Sequence, residues 1–301
     1  MRYQGSYRQI TTASFEKKIA AAQQHLTNCK LCPRECGVDR TTELGFCQAG
    51  AELRVSSFGP HFGEERELVG KNGSGTIFFA HCNLRCVYCQ NYQLSFWGEG
   101  EVYTTEQLAD MMLVIQANYK CGNINLVTPT HYVPHILEAV YIASQKGLRI
   151  PIVYNCSGYE SIDTLKLLEG VVDIYMPDIK YSSEEWGRKY SQAPDYFAKA
   201  FLALKEMDRQ VGGLVVEESG LAYRGLLIRH LVLPGGLEET KQVLDFIKSE
   251  LSPDVLVNLM AQYYPSYKAF EYPELDRRIS QKEFSEAVSY AEALGLRLAE
   301  C

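Results

Sequence analysis

From residue 75 onward, short apolar runs alternate with stretches of helical periodicity, and this alternation limits the fold more than any other feature of the chain. Strand-like runs fall at 76–80, 124–128, 150–154, 171–176, 226–233 and 255–260. Helical spacing near 3.6 residues follows them at about 104–119, 133–145, 161–168, 196–207, 237–251 and 281–294. Thr104 or Thr105 is a natural N-cap for the first of these helices, and Gly147 a natural stop for the second. Six strands alternating with six helices imply a parallel sheet with right-handed crossovers. Strands without polar alternation are those whose outer face is covered by helices. The count suits an open barrel of six β/α units or a doubly wound sheet, and periodicity does not separate the two. Residues 1–74 stay outside the alternation. They read as a short helix (about 14–26) and a cysteine-rich loop region, joined by Lys71-Asn72-Gly73-Ser74-Gly75 to a main domain at 75–301.

The chemistry of the cysteines depends on the compartment. The start, Met1-Arg2-Tyr3-Gln4-Gly5-Ser6-Tyr7, has no apolar signal core, and no window approaches eighteen consecutive apolar residues. A cytoplasmic location is therefore the expectation, where thiols stay reduced and clustered cysteines bind metal or do chemistry. A net charge of −7 without a long basic run speaks against nucleic-acid or membrane-surface partners. Of the ten cysteines, Cys29, Cys32, Cys36 and Cys47 form one group and Cys82, Cys86 and Cys89 a second. Cys121, Cys156 and Cys301 are isolated, as small buried or terminal thiols commonly are.

The second group sits directly after the first strand, in His81-Cys82-Asn83-Leu84-Arg85-Cys86-Val87-Tyr88-Cys89-Gln90-Asn91. Three thiolates at this spacing can hold one corner of a [4Fe–4S] cluster, which ordinarily takes four cysteines. With three, one iron stays open, and an open metal position marks a reacting site. A zinc knuckle completed by His81 or His131 is the alternative. The preceding strand, Asn91 and the six β/α units favour the cluster.

Cys-x3-Cys-x2-Cys after a first strand, with the aromatic Tyr88 before the last cysteine, resembles the signature of the radical S-adenosylmethionine superfamily. The resemblance implies that the open iron chelates S-adenosylmethionine, whose reductive cleavage yields a 5′-deoxyadenosyl radical that takes a hydrogen atom from a substrate. Cys82, Cys86 and Cys89 are then the catalytic and cluster-binding residues. Cys-x2-Cys-Pro-Arg-x-Cys-Gly, the segment 73–91 and Pro177-Asp178-Ile179-Lys180-Tyr181 together resemble the uncharacterised radical enzymes related to pyruvate formate-lyase activating enzyme, over about residues 29–267. The fold this implies is an open, partial (β/α)6 TIM-like barrel, with its working residues at the C-terminal ends of the strands.

The same resemblance assigns a cofactor pocket. Asp178 and Lys180 match an Asp-x-Lys that approaches the cofactor's ribose and carboxylate. Asn155, Ser157 and Gly158 match the end of the third strand. Arg229 matches a strand-five arginine, with Val232 near the adenine. Tyr88 and Asn91 complete the set from the cysteine loop. Where many relatives carry Gly-Gly-Glu to hold the cofactor's amino group, this chain reads Val127-Thr128-Pro129-Thr130-His131. The Thr128 or Thr130 hydroxyl, or a backbone carbonyl, would serve instead. His131 reads as a pocket residue or a helix-start residue. Gln262, Tyr263 and Tyr264 follow strand six and face a substrate or pack, as most of the 20 tyrosines must.

Cys29, Cys32, Cys36 and Cys47 make a complete four-thiolate shell, which suits a structural zinc or a second iron–sulfur cluster. The loop Pro60-His61-Phe62-Gly63-Glu64-Glu65 reads as a lid or as a solvated turn. Implied partners are an electron donor such as flavodoxin or ferredoxin and a substrate protein or peptide. Three functions compete: activation of a glycyl radical enzyme, radical modification of another protein, peptide or small molecule, and non-catalytic electron carriage.

Overall fold

Ten strands share one sheet in this computed structural model, which describes residues 3–300, so Cys301 lies outside the described residues. The strands are β1 (Leu53–His61), β2 (Ser74–Phe79), β3 (Glu101–Tyr103), β4 (Ile124–Val127), β5 (Ile152–Cys156), β6 (Ile174–Pro177), β7 (Val215–Val216), β8 (Ala222–Leu231), β9 (Leu256–Met260) and β10 (Arg297–Leu298). The helices are α1 (Thr12–Gln23), α2 (Arg66–Val69), α3 (Tyr92–Trp97), α4 (Thr105–Ala117), α5 (Val133–Gln145), α6 (Ile162–Leu168), α7 (Glu184–Ser191), α8 (Tyr196–Val211), α9 (Leu237–Glu250) and α10 (Gln281–Ala293).

The six strands read from the sequence are β2, β4, β5, β6, β8 and β9. They pair in parallel and in chain order. A doubly wound sheet reverses its order at a switch point. This one never does, so each right-handed crossover adds its strand on the same side and the sheet curls as a barrel does. It does not close, because β1 pairs with β2 on one flank and β10 with β9 on the other. No helix among the described residues is long and apolar enough to cross a membrane.

Local chemistry accounts for the helix starts. Thr104 and Gln107 form a reciprocal capping box for α4, and Ser280 and Glu283 another for α10. Pro134 occupies the first turn of α5, where its missing N–H costs nothing.

Two parts of the fold lie outside the sequence reading. Residues 1–74 do not all stay off the sheet: β1 pairs antiparallel with β2 from Val55↔Phe79 to His61↔Ser74, and Ser74, assigned to a linker, opens β2. Gly59 and Pro60 mask β1 as a strand, but a flanking strand tolerates both. Helix α7 was hidden by Gly187 and by its polar residues. That glycine packs so closely that a Cβ would lie 2.4 Å from the Ala193 carbonyl.

The register also fixes which end of the barrel is which. The cysteine loop leaves β2 at its C-terminal end, while His61 and the segment to Glu65 adjoin the N-terminal start at Ser74. Leu68 of α2 then packs with Val153, Ile174, Met176 and Leu227 as a small apolar floor. The main core lies between the sheet and the surrounding helices.

Candidate cofactor and cluster site

Above that floor is a cavity of about 860 Å3, lined by residues from all six parallel strands or the loops that follow them. Cys82, Cys86 and Cys89 stand at its mouth, together with Tyr88 and Asn91. Thr128, Asn155, Ser157, Asp178, Lys180 and Arg229 form its wall. Of the residues assigned to the cofactor, Gly158, Thr130 and Val232 fall outside, Val232 most deeply. It is fully buried in the core, and Leu231 lines the cavity in its place. Adjacent strand residues face opposite sides, so a one-residue slip in the alignment inverts the assignment. On the same strand, His230 turns outward to Ile179 and to Thr240 of α9.

The cysteine loop is held from several directions. Asn83 donates to the Tyr159 carbonyl at 2.7 Å, and the Arg85 and Val87 amides donate to the carbonyls of Ser191 and Tyr190. Burial pushes the Cys82 thiol up to about 12 and raises Cys86 and Cys89 as well, while the Lys180 ammonium acts against the rise at all three. Metal binding here must therefore displace protons. Among the described residues, no three Cys, His, Asp or Glu side chains are already drawn to coordinating distance. A cubane cluster asks for no such convergence, because each thiolate binds a different iron. The chemistry of these thiols fits it: three soft donors on one short loop, open toward a cavity.

Asp178 and Lys180 are paired at 2.6 Å, with side-chain exposures of 29% and 17%, so this is a cavity-wall pair and not a surface one. Burial alone would lower the Lys180 pKa, but Asp178 and Cys86 outweigh it and hold the amine charged. Tyr196 fixes this segment by sharing its one hydroxyl proton between the Ser157 and Asp178 carbonyls and accepting from the Lys180 amide. Gly158 is required beside it. Its φ is +75°, and a Cβ there would lie 2.3 Å from the Asp178 carbonyl.

Thr128 lines the cavity with φ +59°, a left-handed conformation that a β-branched residue rarely adopts. Strain of this kind concentrates at binding sites. Thr130 is different: it does not line the cavity, and its buried hydroxyl donates to Glu160 at 2.7 Å. His131 is likewise buried, in a turn of 3-10 helix, with Nε2 2.8 Å from the Ala80 carbonyl.

Sequence reasoning missed three features. Glu64 and Glu65 enter the barrel from its lower end and both pair with Arg229. Asn258 donates to Glu65, whose pKa is lowered because Arg229 outweighs the cost of its burial. The loop is thus solvated from Pro60 to Gly63 and turns inward only at Glu64 and Glu65, and Arg229 is already taken by these carboxylates. Glu160 is buried without a cation, and burial raises its pKa to about 8. Ser191, at the end of α7, touches Cys86. No motif signals any of these, because each becomes functional only through a partner distant in sequence.

The N-terminal cysteines lie behind this loop and do not line the cavity. Cys29 and Cys47 are buried, Cys32 is half-buried and Cys36 exposed. Arg34 spans the two regions: its Nε donates to the Asn83 carbonyl at 3.2 Å, and its guanidinium covers the Phe46 ring at 3.8 Å. Arg85 answers from the other side by donating to the Phe46 carbonyl at 2.6 Å.

The family model described as Radical SAM superfamily matches residues 76–247. The chain is 34% identical over 294 residues to the uncharacterized protein MJ0674 of Methanocaldococcus jannaschii, spanning 93% of this chain and 79% of that protein. In fold it is similar to a radical SAM methyltransferase from Sphaerobacter thermophilus, with a TM-score of 0.50 and 14% identity over 98% of this chain and 94% of the other. It is also similar to anSMEcpe with bound AdoMet and the Kp18Cys peptide, with a TM-score of 0.50 and 12% identity over 72% of this chain and 60% of the other.

Proposed function

The chain belongs to the radical SAM superfamily of enzymes, and from that premise we propose that Cys82, Cys86 and Cys89 hold a [4Fe–4S] cluster at which S-adenosylmethionine is reductively cleaved. The observation that carries the proposal is the arrangement of three thiols, one buried and two half-buried, lining a cavity walled by the Asp178–Lys180 pair. When bound, the cluster and cofactor supply a one-electron cleavage whose radical product takes a hydrogen atom from substrate.

The chain's own residues bind and orient. The Lys180 ammonium suits a carboxylate, and Asp178 can accept from hydroxyl groups. Asn155, Ser157 and the backbone at strained Thr128 supply neutral partners on the adjoining wall. Arg229 acts through Glu64 and Glu65, and we assign it to holding the barrel's lower end rather than to the cofactor.

The test is anaerobic reconstitution with iron and sulfide, then addition of S-adenosylmethionine and dithionite. Release of 5′-deoxyadenosine by the wild type and not by Cys86→Ala supports the reading; no release by either overturns it. For the substrate, we favour a protein or peptide glycine, as in glycyl radical enzyme activation. The prediction is a glycyl doublet in electron paramagnetic resonance with the partner enzyme, and its absence with every candidate partner removes this choice. Thr128-Pro129 and the added N-terminal cysteines favour a second reading, radical modification of another protein, peptide or small molecule. Deuterium transferred from a labelled substrate into 5′-deoxyadenosine would identify it. A flavodoxin or ferredoxin is the proposed electron source.

At Cys29, Cys32, Cys36 and Cys47 we propose a second metal, with zinc as a structural staple preferred. The Cys47 and Cys36 sulfurs meet around Gly45, at 3.4 and 3.6 Å from where a Cβ on that glycine would stand. Metal analysis discriminates: about four irons and one zinc per chain supports the staple, and about eight irons supports an electron relay.

A further inference from the structure

Helix α7 ends against the cysteine loop, and its last residue reaches a cluster ligand. Ser191 Oγ lies 2.9 Å from Cys86 Sγ and 2.8 Å from the Tyr181 hydroxyl. The Tyr181 hydroxyl lies 2.7 Å from that of Tyr88. All four side chains are buried, so water does not compete for these contacts.

Each hydroxyl has one proton to give and lone pairs with which to accept. Such a row has a direction, and its end group sets it. A metal-bound sulfur carries no proton and can only accept, so Ser191 must donate to Cys86. Ser191 then accepts from Tyr181, and Tyr181 accepts from Tyr88. Three O–H dipoles align toward one sulfur, each strengthening the next in a low-dielectric interior. The same order aims the Tyr88 proton at Tyr181, which does not line the cavity, and away from the space Tyr88 itself borders.

We propose that Ser191, backed by Tyr181 and Tyr88, is a positioning residue whose hydrogen-bond relay sets the reduction potential of the cluster through Cys86. Hydrogen bonds to cluster sulfurs and the residues around the ligands are what tune such potentials. A donor stabilises the reduced, more negative cluster, so the relay raises the potential and eases reduction. The other two sulfurs have weaker neighbours: the Leu84 amide at 3.4 Å from Cys82 and the Ser95 hydroxyl at 3.5 Å from Cys89. Ser191 makes the shortest contact of the three.

This inference rests on the cluster assignment above, and potentiometric titration separates the two. Wild type, Ser191→Ala, Tyr181→Phe and Ser191→Thr are reconstituted anaerobically, their iron content is measured, and the cluster midpoint is followed by electron paramagnetic resonance without S-adenosylmethionine. The expected result is a move to more negative potential in Ser191→Ala, a smaller move the same way in Tyr181→Phe, and recovery toward wild type in Ser191→Thr. Variants with full iron content and a wild-type midpoint, or a midpoint moved upward, overturn the relay while leaving the cluster in place. If Ser191→Ala fails to take up iron, Tyr181→Phe, which keeps its ring packing, decides by the same titration. A wild type that assembles no [4Fe–4S] cluster overturns the cluster assignment itself, and the relay with it.

Discussion

The two cysteine-rich regions are built from the same donor and lie back to back, joined through Arg34, Phe46 and Arg85. Burial raises the thiol pKa values in both, so thiol acidity does not distinguish them. Two other properties do. The N-terminal group has four thiols and no access to the cavity; the loop after β2 has three, and all of them line it. Four soft donors can close a metal shell, which suits a staple, whereas three leave a coordination position facing the cavity. Number and access separate the proposed reactive site from the proposed structural one.

The largest effect tests that division directly. Cys86→Ala should lose the cluster and reduce 5′-deoxyadenosine formation to background. Cys36→Ala should lose the second metal and keep most of the cleavage. Equal loss in both would break the comparison and favour an electron relay. Iron and zinc content, read beside product formation, checks it.

Next in size is the wall of the cavity. Lys180→Met should weaken S-adenosylmethionine binding by about 10- to 100-fold, the usual cost of losing one charge-assisted partner. Calorimetric titration of the reconstituted protein measures this, and unchanged affinity would remove Lys180 from the site.

The joint between the regions comes third. Arg34→Ala leaves the Asn83 and Gln192 carbonyls without their donor and should cost about 1–3 kcal/mol of stability. If the N-terminal region only braces the loop, cleavage should fall less than it does in Cys86→Ala. Urea unfolding and product assay together read the two quantities.

The smallest effect is a slope. Glu160, bonded to the Thr130 and Tyr154 hydroxyls, is held to a pKa of about 8 by burial, against about 4.3 in an unfolded chain. Between those values the folded state keeps a proton that the unfolded state has lost. Stability should therefore fall as pH rises through this window, by up to about 1.4 kcal/mol per pH unit from this group. Glu160→Gln should flatten the fall in urea unfolding measured between about pH 5 and pH 8. An unchanged slope would mean that the carboxyl is ionised in the fold.

Much of the architecture was legible because it rests on periodicity. All six parallel strands and the helices that follow them could be placed, and α5 (Val133–Gln145) begins and ends where its pattern does. Strand β1 was not, since its second half pairs with β2 alone and can carry Gly59 and Pro60 without penalty. Within the site, residues on one short segment were readable together, as in Cys82 to Asn91 or Asp178 to Lys180. Alignment to a motif gives a position but not a face: the Val232 side chain lies in the core, and that of Leu231 lines the cavity.

The amino-acid sequence by itself determined the β/α alternation, the spacing of three thiols after the first strand and the family that goes with them. These are local patterns, and backbone geometry reads local patterns without further information. Only the tertiary structure decided that the strands run in chain order around an open barrel, that Arg229 is bound by two carboxylates from the barrel's lower end, and that Ser191, 105 residues from Cys86, completes its surroundings. Those relations are contacts across long loops. They exist only when burial brings distant segments within hydrogen-bond reach, and no spacing along the chain encodes them.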